Sequence, residues 1–427
     1  MNFNYTPFMA LIRDPAPRTP SDPDLERLES LMAQARRSPG AFPGAPALAA
    51  AAGLDRPALE RLFLAHAHQG VEAFLAEARV QADCRLLLER PGPAWEAGRA
   101  CGFTSPAAFQ ARFRRRTGCT PDAFQALGRP GAAGSFTLAL PSGYRTGDVL
   151  AYHGRDPLSL SERVDGATLV KAVALEGRPV VLELEFLASA VRCRTLDPAV
   201  PGARTLGALH RRVARMLGLG TDPAPFERFV AGLDLHRVVA PRRGLRIPLT
   251  ADVWESLVWA ILGQQVNLAF AYSLRRRLTE LCGAHAASGL RAHPDAAAVA
   301  ALEPEALRPL QFSRSKAEYL IGLARKVAAG SLPLESLPEG AATTAAARLA
   351  AERGVGPWTT HYVLMRGCGF GDCVPLGDSG LTLALQRHYQ LDHRPTAKET
   401  AALMAPFAPH RSLATFHLWA SLKGVPA

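Results

Sequence analysis

The sequence has no Cys-x-x-Cys pair, and its seven cysteines (Cys84, Cys101, Cys119, Cys193, Cys282, Cys368 and Cys373) form no cysteine–histidine cluster of zinc-finger spacing. That pattern excludes a structural metal, an iron–sulfur cluster and a disulfide framework, and predicts free thiols filling core space in a reducing compartment. No run of eighteen apolar residues is free of charge, so no membrane span is expected. Met1-Asn-Phe-Asn-Tyr5 lacks a basic stretch leading into an apolar one, so no signal peptide is expected either, and the predicted location is the cytoplasm. Lysine is scarce: Lys171, Lys316, Lys326, Lys398 and Lys423 are the only ones among 49 basic residues. The net charge of +11 is therefore almost entirely arginine. Guanidinium groups suit phosphates and base edges, so the charge points to a polyanion. An Arg- and Ala-rich composition is also what a GC-rich genome produces, so charge alone does not decide.

With 427 residues, 48% apolar and 20% charged, the chain can build several cores, roughly two to four domains at ordinary domain size. Residues 1–40 read as an N-terminal extension, partly disordered, with proline and charge over 14–23 and a short helix over 25–35. A breaker cluster covers 37–44; residues 41–128 read as one domain, helical from 47 to 127, followed by a second breaker segment, Gly128-Arg-Pro-Gly-Ala-Ala-Gly134, read as a linker. Residues 135–240 read as an α+β unit. Strands are predicted over 136–140, 168–175 and 179–186, with a turn at Glu176-Gly177-Arg178, and helices near 206–217 and 226–231. Residues 241–424 return to helical periodicity: Trp254, Leu257, Val258, Ile261 and Leu262 fall on one face, with Thr250 as the expected N-cap. The fold class is multidomain, mainly α with one α+β domain, and no repeat of solenoid period occurs.

Two segments of the first helical domain have helix-turn-helix character. In one, a short helix ends at Gly53 and Asp55 caps the next. In the other, Ala94-Trp-Glu-Ala-Gly-Arg-Ala-Cys-Gly102 leads through Phe103-Thr104-Ser105 into a helix ending near Arg116. This geometry places a second helix in a major groove. Gly102-Phe103, the pair Phe109 and Phe113, and the closing Thr120-Pro121 resemble the double helix-turn-helix DNA-binding domain of AraC-type transcription regulators. The first unit departs further from that family, having few polar residues for base contact. The resemblance implies that Ser105, Gln110 and Arg112 lie near the reading face and that Arg114, Arg115 and Arg116 approach phosphates.

The richest stretch is Arg353-Gly-Val-Gly-Pro-Trp-Thr-Thr-His-Tyr362. A helix is predicted up to Arg353, then a two-glycine turn, then a second helix with Pro357 at its first position, where the missing N–H costs nothing. Backbone N–H groups at such a turn can approach a phosphate without reading sequence. Further on, Asp378 precedes a periodic helix, where an aspartate is usually only a cap. A Gly-Val-Gly hairpin followed by such an aspartate resembles the helix-hairpin-helix DNA glycosylases. Ile261-Leu-Gly-Gln-Gln-Val266, Gly354-Val-Gly-Pro-Trp-Thr359, Tyr362, Asp378 and Phe416-His-Leu-Trp419 occur in the order of the AlkA-type 3-methyladenine glycosylases within that superfamily. The α+β unit matches that family's extra N-terminal domain, followed by its all-α helix-hairpin-helix core.

The resemblance implies Asp378 as the catalytic carboxylate, Trp358, Tyr362 and Trp419 as walls of the flipped-base pocket, and Gln265 with Gln264 at the wedge that fills the duplex gap. It assigns Gly354, Gly356 and Thr359 to the phosphate-binding hairpin. No cofactor is expected beyond a monovalent cation at the Gly354-Val355-Gly356 turn when DNA is bound. The expected partner is duplex DNA containing alkylated bases, with promoter DNA and RNA polymerase as further partners and a nucleoid-associated place in a bacterial cytoplasm. Bifunctional relatives carry a Schiff-base lysine at the hairpin. Here no lysine lies between Lys326 and Lys398, so a monofunctional glycosylase of the 3-methyladenine II type is expected. The pairing of domains resembles Ada–AlkA fusions, without their cysteine-bearing methyl-acceptor domain, since Cys84 is the first cysteine. Three readings follow: a glycosylase whose front domain adds DNA affinity, a protein using both activities, or an AraC/Ada-type regulator whose glycosylase fold senses damage.

Overall fold

The computed structural model describes residues 23–129, 134–196 and 202–423. The predicted disorder in residues 1–22 and the middle of the linker, 130–133, lie outside that set. The N-terminal helix spans Pro23–Arg37, longer than 25–35, and buries Leu25, Leu28, Leu31, Met32 and Ala35. Those positions recur every three or four residues and form one face. They pack with Leu48, Leu59, Phe63, Phe74 and Leu75 into a single cluster, so the second half of the extension is an integral part of the helical domain.

The first helix-turn-helix unit is Ala45–Ala52 and Arg56–Ala67. Gly53 closes the first helix at φ +62, a conformation glycine adopts without strain, and Asp55 accepts the Ala58 N–H to cap the second. The long helix Val71–Glu89 separates it from the second unit, Ala94–Ala100 and Pro106–Thr117. These last two helices meet so closely that a Cβ at Gly98 would lie 2.8 Å from the Phe109 ring.

The α+β layer carries one antiparallel sheet of β1 (Ser135–Ala139), β2 (Glu162–Asp165), β3 (Thr168–Leu175), β4 (Arg178–Phe186) and β5 (Ala190–Thr195), ordered β1-β5-β4-β3-β2. The predicted β3–β4 hairpin turns at Glu176 and Gly177, both at positive φ, as the twist of a tight hairpin requires. β2 and β5, which are short and charged, and the helix Thr146–His153 are not among the elements predicted from the sequence. Helix Ala203–Met216 covers the sheet. One hydrophobic cluster joins Phe109 and Phe113 of the second helix-turn-helix unit, and Phe124 of the short helix Pro121–Ala126 that follows it, to Leu138, Leu184, Cys193, Leu206 and Leu209. No apolar gap separates the two predicted domains there.

The third layer centres on the helix Val253–Gly263, buried on nearly every face. Its N-cap is Asp252, which accepts the Glu255 N–H, and not Thr250. The Thr250 hydroxyl is already committed to the carbonyls of Asp252 and Arg366. A buried ionic cluster ties this helix to the sheet: Lys171 reaches Glu162 at 2.7 Å and Glu255 at 2.9 Å, and Arg275 reaches the same carboxylates at 2.8 and 2.9 Å. Such a cluster gains little net stability after desolvation, but breaking one partner leaves an unpaired buried charge, so it fixes one docking geometry. The helical domain also touches this layer, with His66 Nδ1 3.0 Å from the Thr343 hydroxyl and Ala341 buried in the cluster around Phe63.

Candidate active site and nucleic-acid interface

The helix before the hairpin ends at Ala350, not Arg353, and the chain turns through Gly354 at φ +87. A Cβ there would lie 2.4 Å from the Tyr319 ring, so both backbone sign and space demand glycine. Gly356 is the extended N-cap of helix Pro357–Val363 and has open space where a side chain would project. Gln264, at the end of the buried helix Val253–Gly263, donates to the Gly354 carbonyl at 2.8 Å and to the Thr359 hydroxyl at 3.0 Å. This corrects two expectations. Thr359 is buried and its hydroxyl faces inward, and Gln264 braces the hairpin from behind, so neither presents its side chain to a duplex. Gln265 is different: it is exposed, at φ +55, on the tip of the same turn, with Leu268 58% exposed nearby.

The turn that carries Gln265 has a support with no signal in the local sequence. Lys316 Nζ donates to the carbonyls of Ile261, Leu262 and Gln264 at 3.1, 2.7 and 2.7 Å. An ammonium there satisfies the unpaired carbonyls at a helix end and complements its dipole. Burial lowers its pKa to about 8. The hairpin carbonyls of Glu352, Gly354 and Gly356 already accept hydrogen bonds from Val355, Gln264 and Thr360. They do not form an open carbonyl ring for a monovalent cation.

Asp378 begins the helix Ser379–Tyr389 and accepts the Leu381 N–H at 2.7 Å, an ordinary cap. Two indoles add to it. Trp419 Nε1–H donates to the same oxygen, Oδ1, at 2.8 Å, and Trp358 Nε1–H donates to Oδ2 at 3.0 Å. Both carboxylate oxygens are thus held, and the carboxylate plane is set by two aromatic side chains from different helices. Gly380 makes this possible, since a Cβ there would lie 3.2 Å from Asp378 Oδ1 and 3.3 Å from Trp419. Trp358 and Tyr362, one helical turn apart, stack with centroids 5.3 Å apart at 29°, and Trp419 lies 6.3 Å from Tyr362. Tyr362 is 8% exposed, and its phenol is pushed up to about 12, by burial first and then by Tyr152. The structure therefore gathers Asp378, Trp358, Tyr362 and Trp419 into one half-buried wall beside the hairpin, with the Gly263–Gln265 turn next to Trp358.

In the second helix-turn-helix unit, Gln110, Arg114 and Arg115 are exposed and Arg112 is half-buried. The Ser105 hydroxyl is occupied as a cap, accepting the Ala108 N–H. Arg116 contradicts its expected role. It turns into the seam with the α+β layer, pairs with Glu77 and donates to the Gly220 carbonyl, and burial lowers its pKa to about 10. Each helical residue turns the chain by 100°, so three consecutive arginines cannot all face one partner.

Residues 258–409 match the family described as HhH-GPD superfamily base excision DNA repair protein, and residues 48–126 match a helix-turn-helix domain family. The chain is 36% identical over 280 residues to the putative DNA-3-methyladenine glycosylase YfjP of Bacillus subtilis, covering 66% of this chain and 96% of that protein. It is 30% identical over 394 residues to the probable bifunctional transcriptional activator/DNA repair enzyme AlkA of Mycobacterium tuberculosis, covering 89% of this chain and 77% of that one. Among solved structures, the 3-methyladenine DNA-glycosylase from Archaeoglobus fulgidus superposes with a TM-score of 0.60 at 22% identity, covering 68% of this chain and 100% of that chain, which shows the shared fold.

Proposed function

We propose that this chain, which belongs to the HhH-GPD superfamily of base excision DNA repair proteins, is a monofunctional DNA glycosylase that releases alkylated bases of the 3-methyladenine type from duplex DNA. The observation that carries the reading is the Asp378 carboxylate held by Trp358 and Trp419 at the edge of an aromatic wall. The hairpin glycines take the phosphate backbone, Gln265 fills the gap, and the damaged nucleotide leaves the stack at a cost of a few kcal/mol, least where the lesion weakens pairing. The indole and phenol faces attract a positively charged alkylpurine by cation–π contact, about 0.5–2 kcal/mol each. As the N-glycosidic bond breaks, the electron pair leaves with the base and positive charge develops on the sugar, as in glycoside hydrolysis. The Asp378 carboxylate stabilises that charge and orients water. Water then adds at the sugar carbon and gives up a proton, leaving an abasic site.

Strand cleavage would need an amine at the sugar carbon. The lysine nearest the wedge, Lys316, has its ammonium committed to three carbonyls, which supports hydrolysis without lyase chemistry. The front domain adds affinity for duplex DNA through Gln110, Arg114 and Arg115, and binds promoter DNA and RNA polymerase in a regulatory role. The protein acts in the bacterial cytoplasm at the nucleoid. No helix of the described residues is long and apolar enough to cross a membrane. The test is base release from methylated duplex DNA by wild type and Asp378→Asn, with strand integrity followed before and after alkali. Release by wild type alone, with nicks only after alkali, is the expected result. No release by wild type, with duplex binding retained, would overturn it in favour of a damage-sensing regulator.

A further inference from the structure

The two helix-turn-helix units share one shape but not one surface. Their second helices, Arg56–Ala67 and Pro106–Thr117, correspond position by position. Asp55 and Ser105 cap them in the same way, accepting the N–H of Ala58 and of Ala108. Leu59 and Phe63 are buried in the first helix where Phe109 and Phe113 are buried in the second. That register sets Glu60 against Gln110, Leu62 against Arg112, Leu64 against Arg114, Ala65 against Arg115 and His66 against Arg116. Where the second helix carries an amide and guanidinium groups, the first carries a carboxylate and apolar groups. Phosphate contacts come from cations and from amide or hydroxyl donors, which the first helix lacks along that row. Glu60 is also committed within its own domain. Its Oε2 accepts the Val71 N–H at 3.2 Å, at the start of the long helix Val71–Glu89.

The far end of the first helix is covered by the third layer. His66 Nδ1 lies 3.0 Å from the hydroxyl of Thr343, at the start of the helix Ala342–Ala350 that leads into the Gly354 hairpin. Ala341 is fully buried in the same cluster as Leu59 and Phe63. His68, the C-cap at φ +55, sets its ring edge-on to Phe370 at 5.8 Å. Its carbonyl backs onto Gly371, where a Cβ would lie 3.1 Å away. Burial draws the His68 imidazole down to about 4, so this end offers no positive charge to a phosphate.

We propose that the front domain holds duplex DNA through its second unit alone, in one major groove, and that the first unit is the dock that fixes the helix leading to the hairpin. The inference rests on the reading of Gln110, Arg114 and Arg115 as DNA contacts. Two reading helices would occupy successive major grooves, one helical turn of about 34 Å apart. A single one covers one groove, so any operator is one contiguous block with no second block a turn away.

Two measurements on the full chain test this. In the first, Arg56→Ala and Arg61→Ala remove exposed basic residues of the first helix. Binding to undamaged duplex is followed against salt, beside Arg114→Ala and Arg115→Ala. The slope of log K on log salt should be unchanged by the first pair and flatter by about 0.9 for each of the second pair. Flattening by Arg56→Ala or Arg61→Ala overturns the proposal. An unchanged slope in all four variants refutes instead the reading of the front domain as a DNA-binding module. In the second measurement, His66→Cys and Thr343→Cys are combined and closed with a short thiol cross-linker, which locks the first unit onto the third layer. The locked chain should bind undamaged duplex within about twofold of the same chain before closure. A larger loss, as when one of two linked binding modules is withdrawn, overturns the proposal. Failure of the cross-link to form also overturns it, since the dock would then be open.

Discussion

Replacing Trp419 by phenylalanine separates the two jobs that residue performs. The ring that faces Tyr362 at 6.3 Å is largely kept, while the Nε1–H that reaches Asp378 Oδ1 at 2.8 Å is removed. A hydrogen bond to a charged group contributes about 1.5–3 kcal/mol, so its loss where charge develops predicts a rate lower by about 10- to 150-fold. Asp378 retains the Leu381 N–H and the Trp358 indole, so the carboxylate stays at the helix end but loses one side of its grip. The assay is single-turnover base release from methylated duplex, alongside binding to an abasic duplex. Binding should change little, because Gln265 and the hairpin are untouched. Adding Trp358→Phe should cost less than the product of the two single effects, since the first substitution has already freed the carboxylate. A Trp419→Phe rate within about twofold of wild type, or above it, would refute the reasoning. The indoles would then be pocket walls only, with hydrogen bonds that merely damp the carboxylate charge.

Gly354→Ala should weaken abasic-duplex binding by about tenfold or more and lower Tm, because alanine at φ +87 meets both strain and the Tyr319 ring; normal binding by the variant in a fluorescence titration would count against the hairpin role. Arg114→Ala and Arg115→Ala should each flatten the dependence of log K on log salt for undamaged duplex by about 0.9, whereas Arg116→Ala should leave that slope alone and lower Tm instead. Burial raises the Asp83 carboxyl to about 7, with the Cys101 thiol and then Arg79 drawing it back only in part. The folded state therefore keeps a proton that the unfolded chain releases near the ordinary carboxylate value, and stability falls as pH rises from about 4 to 7. Asp83→Asn should flatten that part of a Tm-against-pH curve and raise Tm at pH 8, and an unaltered curve would show that Asp83 is ionised in the fold.

Much of the site is legible in the sequence because local rules fix it. Trp358 and Tyr362 share a face at a four-residue spacing, Gly354 and Pro357 dictate a turn and a helix start, and Asp378 caps whatever helix follows it. Strands β3 and β4 are long, apolar and joined by a two-residue turn, so they are equally plain. What escapes is set by tertiary contact. Thr250 and Asp252 are both acceptable caps, and the carbonyls of Asp252 and Arg366 together divert the threonine. Arg114, Arg115 and Arg116 look alike in sequence but differ by rotation about the helix axis. Gln264 and Gln265 are adjacent and alike, yet the positive φ of Gln265 sends one inward to the hairpin and the other out. The Arg366 guanidinium carbon lies 4.3 Å from the Tyr152 ring centroid, yet the two residues are more than 200 positions apart, and nothing in their local sequence couples them.

The hydrophobic cluster that runs from Phe113 and Phe124 into Leu138 and Leu206 makes the front domain a structural member of the enzyme and not a passenger on a tether. Cutting the chain between residues 128 and 135 would expose the side of β1 and of helix Ala203–Met216 that Phe124 and Cys119 pack against, so neither half is a natural unit to express alone. The helix Pro106–Thr117 and the aromatic wall around Asp378 accordingly belong to one continuous packed body. On the proposed reading, a duplex gripped at the first would be presented to the second at a fixed angle, and a search along DNA would carry both together. Heat or denaturant should therefore remove the two DNA-binding surfaces in a single step.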